Sequence, residues 1–387
     1  MSLTQAARAA AVPPFHAMAM SRAASELEAS GRTVLHLEVG QPSTGAPLAA
    51  RQAAMDALGR GEPMGYTNAP GLPSLRKAIA ARYRDQHGVD VDRNEIMIVA
   101  GASAGFTLAF AASFDAGDRV GILEPGYPCY RNTLIALGIE PVAIPVGPET
   151  RWAPTAELLD AAGRLDGLII ASPSNPTGTV LSATALAEVV GWCAAHDVQL
   201  IADEIYHGIV YDQPAASTLT LTRDAVVVNS FSKYCSMTGW RLGWMVVPAH
   251  LAGAVERLQQ NLYICATHVS QVAGVAALGC TEELDGHVRR YAANRATLIA
   301  GLQTAGIDRI AEADGAFYVY ADVSHLTGAI GADSMALCRR WLDELGVAAT
   351  PGIDFDLGRG DHFVRFSYAG DEAPLVAAAE RLCEWTP

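Results

Sequence analysis

The chain has few basic residues, no clustered cysteines and no long apolar run, and each shortage removes a class of function. Lys and Arg number 27 against 41 Asp and Glu, for a formal net charge of −14. That excess of negative charge disfavours nucleic acid and anionic membrane surfaces as partners, so an anionic substrate must be drawn by local charge. Seven cysteines (Cys129, Cys193, Cys235, Cys265, Cys280, Cys338 and Cys383) form no CxxC pair and no Cys/His cluster. No metal site or disulfide framework is expected, and the thiols read as buried side chains of a protein in a reducing cytoplasm. No window approaches the ~20 apolar residues of a membrane span. The amino-terminal MSLTQAARAAAVPPF is alanine-rich but lacks a continuous apolar core followed by a cleavage site, so a cytoplasmic location is expected. No GxGxxG follows a candidate strand, which argues against a dinucleotide-binding fold. Internal repeats are lacking, as are low-complexity segments beyond alanine-rich helices.

What is present is apolar bulk: 50% of 387 residues are hydrophobic and the mean hydropathy is +0.18. That is enough to bury one large core or two linked ones. Candidate strands are EIMIVAG from Glu95, RVGILEP from Arg119, PVAIPV from Pro141, GLIIAS from Gly167, VQLIADE from Val198, AVVVN from Ala225 and RLGWMVVP from Arg241. Helical stretches lie between most of them. The clearest runs from Ser182 to Asp197, with Leu186, Val189, Val190 and Cys193 on one face. Alternating strand and helix predict an α/β fold, a largely parallel sheet with helices on both faces. Near residue 280 the pattern changes to a long helix from Glu283 to Ala305, then AFYVYADV, a helix from Ser334 to Leu345 and HFVRFSYAG. This reads as a smaller α+β unit. The expected division is 1–45, with a helix from Ala19 to Ser30 and too short to stand alone, then 46–280 as the large domain and 281–387 as the small one.

The polar residues fall in telling places. Gly101 to Ser103 follows the first strand, SNPTG (Ser174 to Gly178) the fourth, DEIY (Asp203 to Tyr206) ends the fifth, and Ser230 to Lys233 follows the sixth. If these strands are parallel, all four groups converge on one edge of the sheet, where open α/β sheets bind ligands. Asn175, Asp203 and Lys233 are separated by about thirty residues each, the length of one strand–helix unit.

Each group has a chemistry. In SFSKYCSMTGWRLGW (Ser230 to Trp244), Ser230, Ser232 and Arg241 suit a phosphate, and Lys233 suits an imine with whatever carries that phosphate. Gly239 and Gly243 read as places where the backbone turns closely. Ala102 and Ser103 open a helix whose free amides and positive end also suit a phosphate. Asp203 ends an apolar strand, where a carboxylate needs a cationic partner, either a protonated ring nitrogen or a neighbouring arginine. Asn175 and Tyr206 fit a phenolate oxygen, or else a turn and a buried structural tyrosine. Tyr127, in EPGYPCY, either stacks on a planar ring or packs in the core. A ligand meeting all of these demands carries a phosphate, a basic aromatic nitrogen, a phenolate and an aldehyde, as pyridoxal 5'-phosphate does.

With these motifs the chain resembles the class I/II aminotransferases, fold-type-I pyridoxal-phosphate enzymes. The resemblance rests on SFSKYCSMTGWRLGW together with YTNAPGLPSLRKAIA, EPGYPCY, SNPTGT and DEIY in that family's order, and extends from VGQP near Gly40 to HFVRFSYA around Arg365. It implies a large domain with a seven-stranded, mostly parallel sheet, a small domain built from both chain ends, and a homodimer with shared active sites. It further implies that Lys233 holds pyridoxal phosphate and moves the proton at the substrate α-carbon, and that Asp203 keeps the pyridine nitrogen protonated. Asn175 and Tyr206 would bond the phenolate oxygen, and Tyr127 would stack on the ring. Ser230, Ser232, Arg241, Ala102 and Ser103 would bind the phosphate, with Tyr66 reaching that of the neighbouring subunit. Arg365, with the backbone at Gly40, would take the substrate α-carboxylate. Side-chain choice would come from the segment around Phe15 to Met20, and no second arginine is assignable to a dicarboxylate. The expected activity is ping-pong transfer of an amino group from an L-amino acid to a 2-oxo acid. A carbon–sulfur β-lyase using the same cofactor and, more remotely, a non-catalytic pyridoxal-phosphate sensor are the alternatives.

Overall fold

The computed structural model describes residues 5–386. Its strands, in chain order, are β1 (Leu35–His36), β2 (Ile96–Val99), β3 (Arg119–Glu124), β4 (Glu140–Pro145), β5 (Gly167–Ala171), β6 (Gln199–Asp203), β7 (Val226–Ser230), β8 (Gly243–Val246), β9 (Tyr318–Asp322), β10 (Val347–Ala348), β11 (Thr350–Pro351) and β12 (Phe363–Ser367). Seven form one sheet in the order β2-β8-β7-β6-β5-β3-β4. All neighbours in it are parallel except β8, which runs antiparallel to both β2 and β7. This is the largely parallel α/β sheet that the alternation of strand and helix predicts, with the seven strands that the family resemblance implies.

The strands are apolar on both faces because helices cover both. Leu168, Ile170 and Val227 point into a core with Leu75, Ile79, Leu186 and Val189. The alternate residues Ile169, Val226 and Val228 point into a second core with Phe106, Phe110, Leu251 and Val255. Each such side chain taken fully out of water contributes about 1.5–3 kcal/mol before entropy is subtracted. On helix Ala183–Ala195 the buried face is Leu186, Val189, Trp192 and Cys193. Val190, expected there, is half-buried at the margin of that face.

Beyond this sheet, β9, β11 and β12 form a three-stranded antiparallel sheet, and β1 pairs in parallel with β10, Leu35 opposite Val347. Helix Thr281–Thr304 packs against helix Glu372–Glu384. The stretch from Ser334 is α-helical only to Arg340 and widens to a π-type turn over Trp341–Leu345. The first long helix begins at His16, three residues earlier than its apolar pattern suggests. Its cap comes from across the chain: the Asp354 carboxylate accepts from the amides of His16 (3.0 Å) and Ala17 (2.8 Å). No local pattern announces such a cap. Among the described residues no helix is long and apolar enough to cross a membrane.

The register sets the chemistry in a row. Ala171 lies opposite Asp203, Asp203 opposite Val228, Ser230 opposite Gly243, and Gly243 opposite Val99. The segments leaving β2, β5, β6 and β7 therefore emerge side by side at one sheet edge.

Candidate active site

That edge holds a cavity of about 530 Å³. Gly40, Ala102, Ser103, Tyr127, Asn175, Asp203, Tyr206, Ser232, Lys233, Arg241 and Arg365 all line it. Ser230 and Tyr66 do not. Ser230 is buried with its hydroxyl bonded inside the turn, to Ser232 Oγ (2.9 Å) and the Leu242 carbonyl (3.0 Å), while the Ser232 amide donates back to it (3.0 Å). Ser230 thus holds Ser232 in place. Tyr66 is 83% exposed.

One end of the cavity is built for an anion. Helix Ala102–Ser113 begins there, and its first amides, on Ala102 and Ser103, have no acceptor within the helix. The Arg241 guanidinium lies across this helix start: a Cβ on Gly101 would fall 2.5 Å from Arg241 Nη2. Gly101 also has φ +82°, which L side chains rarely adopt. Arg241 is braced by the Thr238 carbonyl, which accepts from Nη1 at 3.0 Å. Of the two loop glycines, Gly243 does pack closely, since a Cβ there would meet the Asn229 carbonyl oxygen at 2.8 Å. Gly239 does not: its Cβ position is open and its φ is ordinary, so the close-turn expectation fails there.

The sequence contains two lysines, Lys77 and Lys233. Lys77 is exposed on helix Pro73–His87, and Lys233 lines the cavity, donating to the Gly40 carbonyl at 2.6 Å. Burial, reinforced by the positive Arg365 and Arg241 and opposed by Asp203, pushes its ammonium down to about 8. An appreciable fraction of its amine is therefore neutral near physiological pH, as a nucleophile requires.

Asp203 is buried at the end of β6, and burial pushes its carboxyl up to about 6 against two donors that favour the anion, the Tyr130 hydroxyl and the Ile205 amide (2.9 Å). It stays mostly ionised at pH 7. Tyr130, the last residue of EPGYPCY, has no role assignable from sequence; it lies three residues past Tyr127 in the first turn of helix Pro128–Leu137, on the same helical face. Tyr127 packs edge-on against Phe15 (6.2 Å between ring centroids) and Tyr130 (5.4 Å). The Tyr206 hydroxyl is 2.7 Å from that of Tyr318, which in the sequence is only one aromatic of the strand AFYVYADV.

Arg365, on β12, is buried at 3% exposure. Its Nη1 donates to Asn175 Oδ1 (2.9 Å), and its Nη2 donates to the Glu38 carbonyl (2.6 Å) and to Thr350 Oγ1 (3.2 Å). The guanidinium lies over the rings of Tyr318 (4.4 Å) and Phe355 (4.7 Å). Nε is buried with no partner among the described residues, a donor for which a carboxylate is a fitting acceptor. Phe15, Ala17 and Met18 form part of the wall, in the segment expected to select the side chain.

This donor set fits pyridoxal 5'-phosphate: an anion cradle that a Gly101 Cβ would fill, a buried carboxylate for a ring N–H, hydroxyl and amide groups for a phenolate, and a single, partly neutral lysine between them. Comparison with known proteins points to one family. The sequence profile of the family "Aminotransferase class I and II" matches residues 32–382. The valine–pyruvate aminotransferase of Mycobacterium tuberculosis is 51% identical over 383 residues, 98% of this chain and 97% of that one. The crystal structure of an aminotransferase from the same organism superposes with a TM-score of 0.96 at 49% identity, over 99% of both chains. The Thermus thermophilus aspartate aminotransferase with maleate gives 0.92 at 30% identity, over 99% of this chain and 100% of that one. The chain belongs to the class I and II aminotransferases.

Proposed function

We propose that the chain transfers the amino group of a neutral, aliphatic L-amino acid to a small 2-oxo acid such as pyruvate, by a ping-pong mechanism with pyridoxal 5'-phosphate. The observation that carries the substrate class is the charge of the cavity. Among the described residues lining it, the cations are Lys233, Arg241 and Arg365. Arg241 lies at the anion cradle and Arg365 beside Asn175, so neither is left for a carboxylate on the substrate side chain. Phe15, Ala17 and Met18 offer that side chain an apolar wall, and a relative 51% identical carries the name valine–pyruvate aminotransferase.

When bound, pyridoxal 5'-phosphate supplies an aldehyde that captures the substrate amine and a protonated ring that withdraws electrons from the α-carbon. The chain's own residues do the rest. Arg241, Ser232 and the Ala102 and Ser103 amides anchor the phosphate; Asp203 holds the ring proton; Asn175 and Tyr206 bond the phenolate oxygen; Tyr127 faces the ring. Arg365 fixes the substrate carboxylate, which orients the α-hydrogen toward Lys233. Once its amine is free, Lys233 would take that proton and deliver it to the cofactor carbon that gains the amino group, and in the reverse half-reaction it would deliver one to the α-carbon of the acceptor.

An amino-acid panel tests the substrate class. Valine, alanine and similar neutral donors should exceed aspartate in kcat/KM by about 100-fold, since a buried unpaired carboxylate costs several kcal/mol. A preference for aspartate or glutamate would refute it. Release of pyruvate and ammonia from cystathionine at a comparable rate would favour the β-lyase alternative, and detectable DNA binding at physiological salt the sensor. Neither the family nor the relatives favour these.

The same reading includes a cytoplasmic homodimer in which Tyr66 reaches the neighbour's phosphate. Supporting it are the exposed apolar side chains Tyr66, Leu262 and Ile264. Its division into 46–280 and 281–387, with 1–45 joining the latter, is supported by the pairing of β1 with β10. Tyr66→Phe should weaken cofactor binding by roughly tenfold, the loss of one charge-assisted hydrogen bond. Mixed dimers of Tyr66→Phe and Lys233→Ala should regain one wild-type site, which calorimetric cofactor titration would show; no recovery on mixing would mean that Tyr66 serves its own subunit.

A further inference from the structure

Tyr318 lies where three parts of the site meet. Its hydroxyl is 2.7 Å from that of Tyr206, the two rings edge to face at 5.7 Å and 80°. Its ring lies under the Arg365 guanidinium at 4.4 Å. A Cβ on Gly40 would fall 1.8 Å from its oxygen, so the tyrosine is admitted only because position 40 is glycine, and the Gly40 carbonyl is the acceptor for the Lys233 amine. Both tyrosines are fully buried, and burial pushes each hydroxyl above its ordinary value, so both remain protonated.

Two phenols 2.7 Å apart share one hydrogen bond, and either oxygen can be its donor. The proposed role of Tyr206 removes that freedom. A hydroxyl has one proton; if Tyr206 gives its proton to the cofactor's phenolate oxygen, its own oxygen must accept. Tyr318 is the hydrogen-bond partner of that oxygen among the described residues. The order is then Tyr318 to Tyr206 to phenolate, and donors in series polarise one another in the direction of the negative charge.

We propose that Tyr318 is a positioning residue whose hydroxyl donates to Tyr206, fixing the direction of the Tyr206 proton and strengthening its bond to the cofactor's phenolate oxygen. This rests on the reading of Tyr206 given above. The relay stabilises the phenolate charge and so makes it easier for the lysine-linked nitrogen beside that oxygen to lose its proton. Removing the Tyr318 hydroxyl leaves the phenolate more strongly basic, and that nitrogen holds its proton to higher pH. Because Tyr318→Phe keeps the ring under Arg365, substrate carboxylate binding should be little affected.

The test is a spectrophotometric pH titration of the cofactor band in holoenzyme carrying Tyr318→Phe, Tyr206→Phe or both. Tyr318→Phe should raise the midpoint by about half to one pH unit, and Tyr206→Phe by more. In the double variant, loss of the Tyr318 hydroxyl should add nothing, while KM for the amino acid in Tyr318→Phe stays within about twofold of wild type. A Tyr206→Phe shift with none from Tyr318→Phe would overturn the inference alone. An equal Tyr318→Phe shift in both backgrounds would also overturn it, because the hydroxyl would then act without Tyr206. No shift from Tyr206→Phe would overturn the reading of Tyr206 and the inference with it.

Discussion

Lys233→Ala is expected to lower kcat/KM for transamination by at least about 10⁴-fold, because it removes the residue proposed both to hold the cofactor and to move the α-proton. Nothing nearby replaces it. The other lysine of the chain is exposed on helix Pro73–His87, and the remaining cations lining the cavity, Arg241 and Arg365, carry guanidinium groups, which have no acceptor to serve as a base. The variant should still fold and bind the cofactor through its phosphate, since the Lys233 ammonium makes one hydrogen bond, to Gly40. Steady-state turnover with a saturating donor and 2-oxo acid measures the loss. Activity within tenfold of wild type would mean that another group moves the proton.

Asp203→Asn should cost about 10³-fold in kcat, the scale of removing one preorganised charge from a buried site. The amide matches the carboxylate in shape but not in charge, and so cannot hold a ring nitrogen in its protonated form at neutral pH. It also leaves one of two present donors, the Tyr130 hydroxyl or the Ile205 amide, without its full acceptor, a loss of about 1–3 kcal/mol in stability. Thermal melting of the cofactor-free variant separates these effects: the stability loss appears there, the catalytic loss only in kcat. A kcat within threefold of wild type would show that the carboxylate charge is dispensable. Since burial pushes the Asp203 carboxyl up to about 6 even with Lys233 nearby, cofactor uptake by the apo-protein should weaken as pH falls through 6, the range in which the group becomes neutral.

Much of this site is legible in the sequence because a parallel sheet converts spacing into proximity. Asn175, Asp203 and Lys233 each follow or end an apolar strand, and the register places those ends in one row. What stayed hidden depends on contacts between elements. Tyr318 belongs to a run of aromatic residues indistinguishable from core, and only packing against Gly40 and Tyr206 sets it apart. Tyr130 has a partner 73 residues away. Ser230 and Ser232, two residues apart, look equivalent as phosphate donors, yet the turn draws the first hydroxyl inward to the Leu242 carbonyl and leaves the second on the cavity. The early start of the His16 helix depends on Asp354, more than three hundred residues on. Charge balance, by contrast, speaks directly: so few lysines make Lys233 conspicuous once its loop is known to face a cavity.

Lys233 is the amine proposed to hold the cofactor, and a chain with two lysines allows an unambiguous measurement. Holoenzyme reduced with borohydride, digested and analysed by mass spectrometry should carry the reduced pyridoxyl phosphate on the peptide containing Lys233 and on no other. Labelling at Lys77, or none at either lysine, would contradict the account.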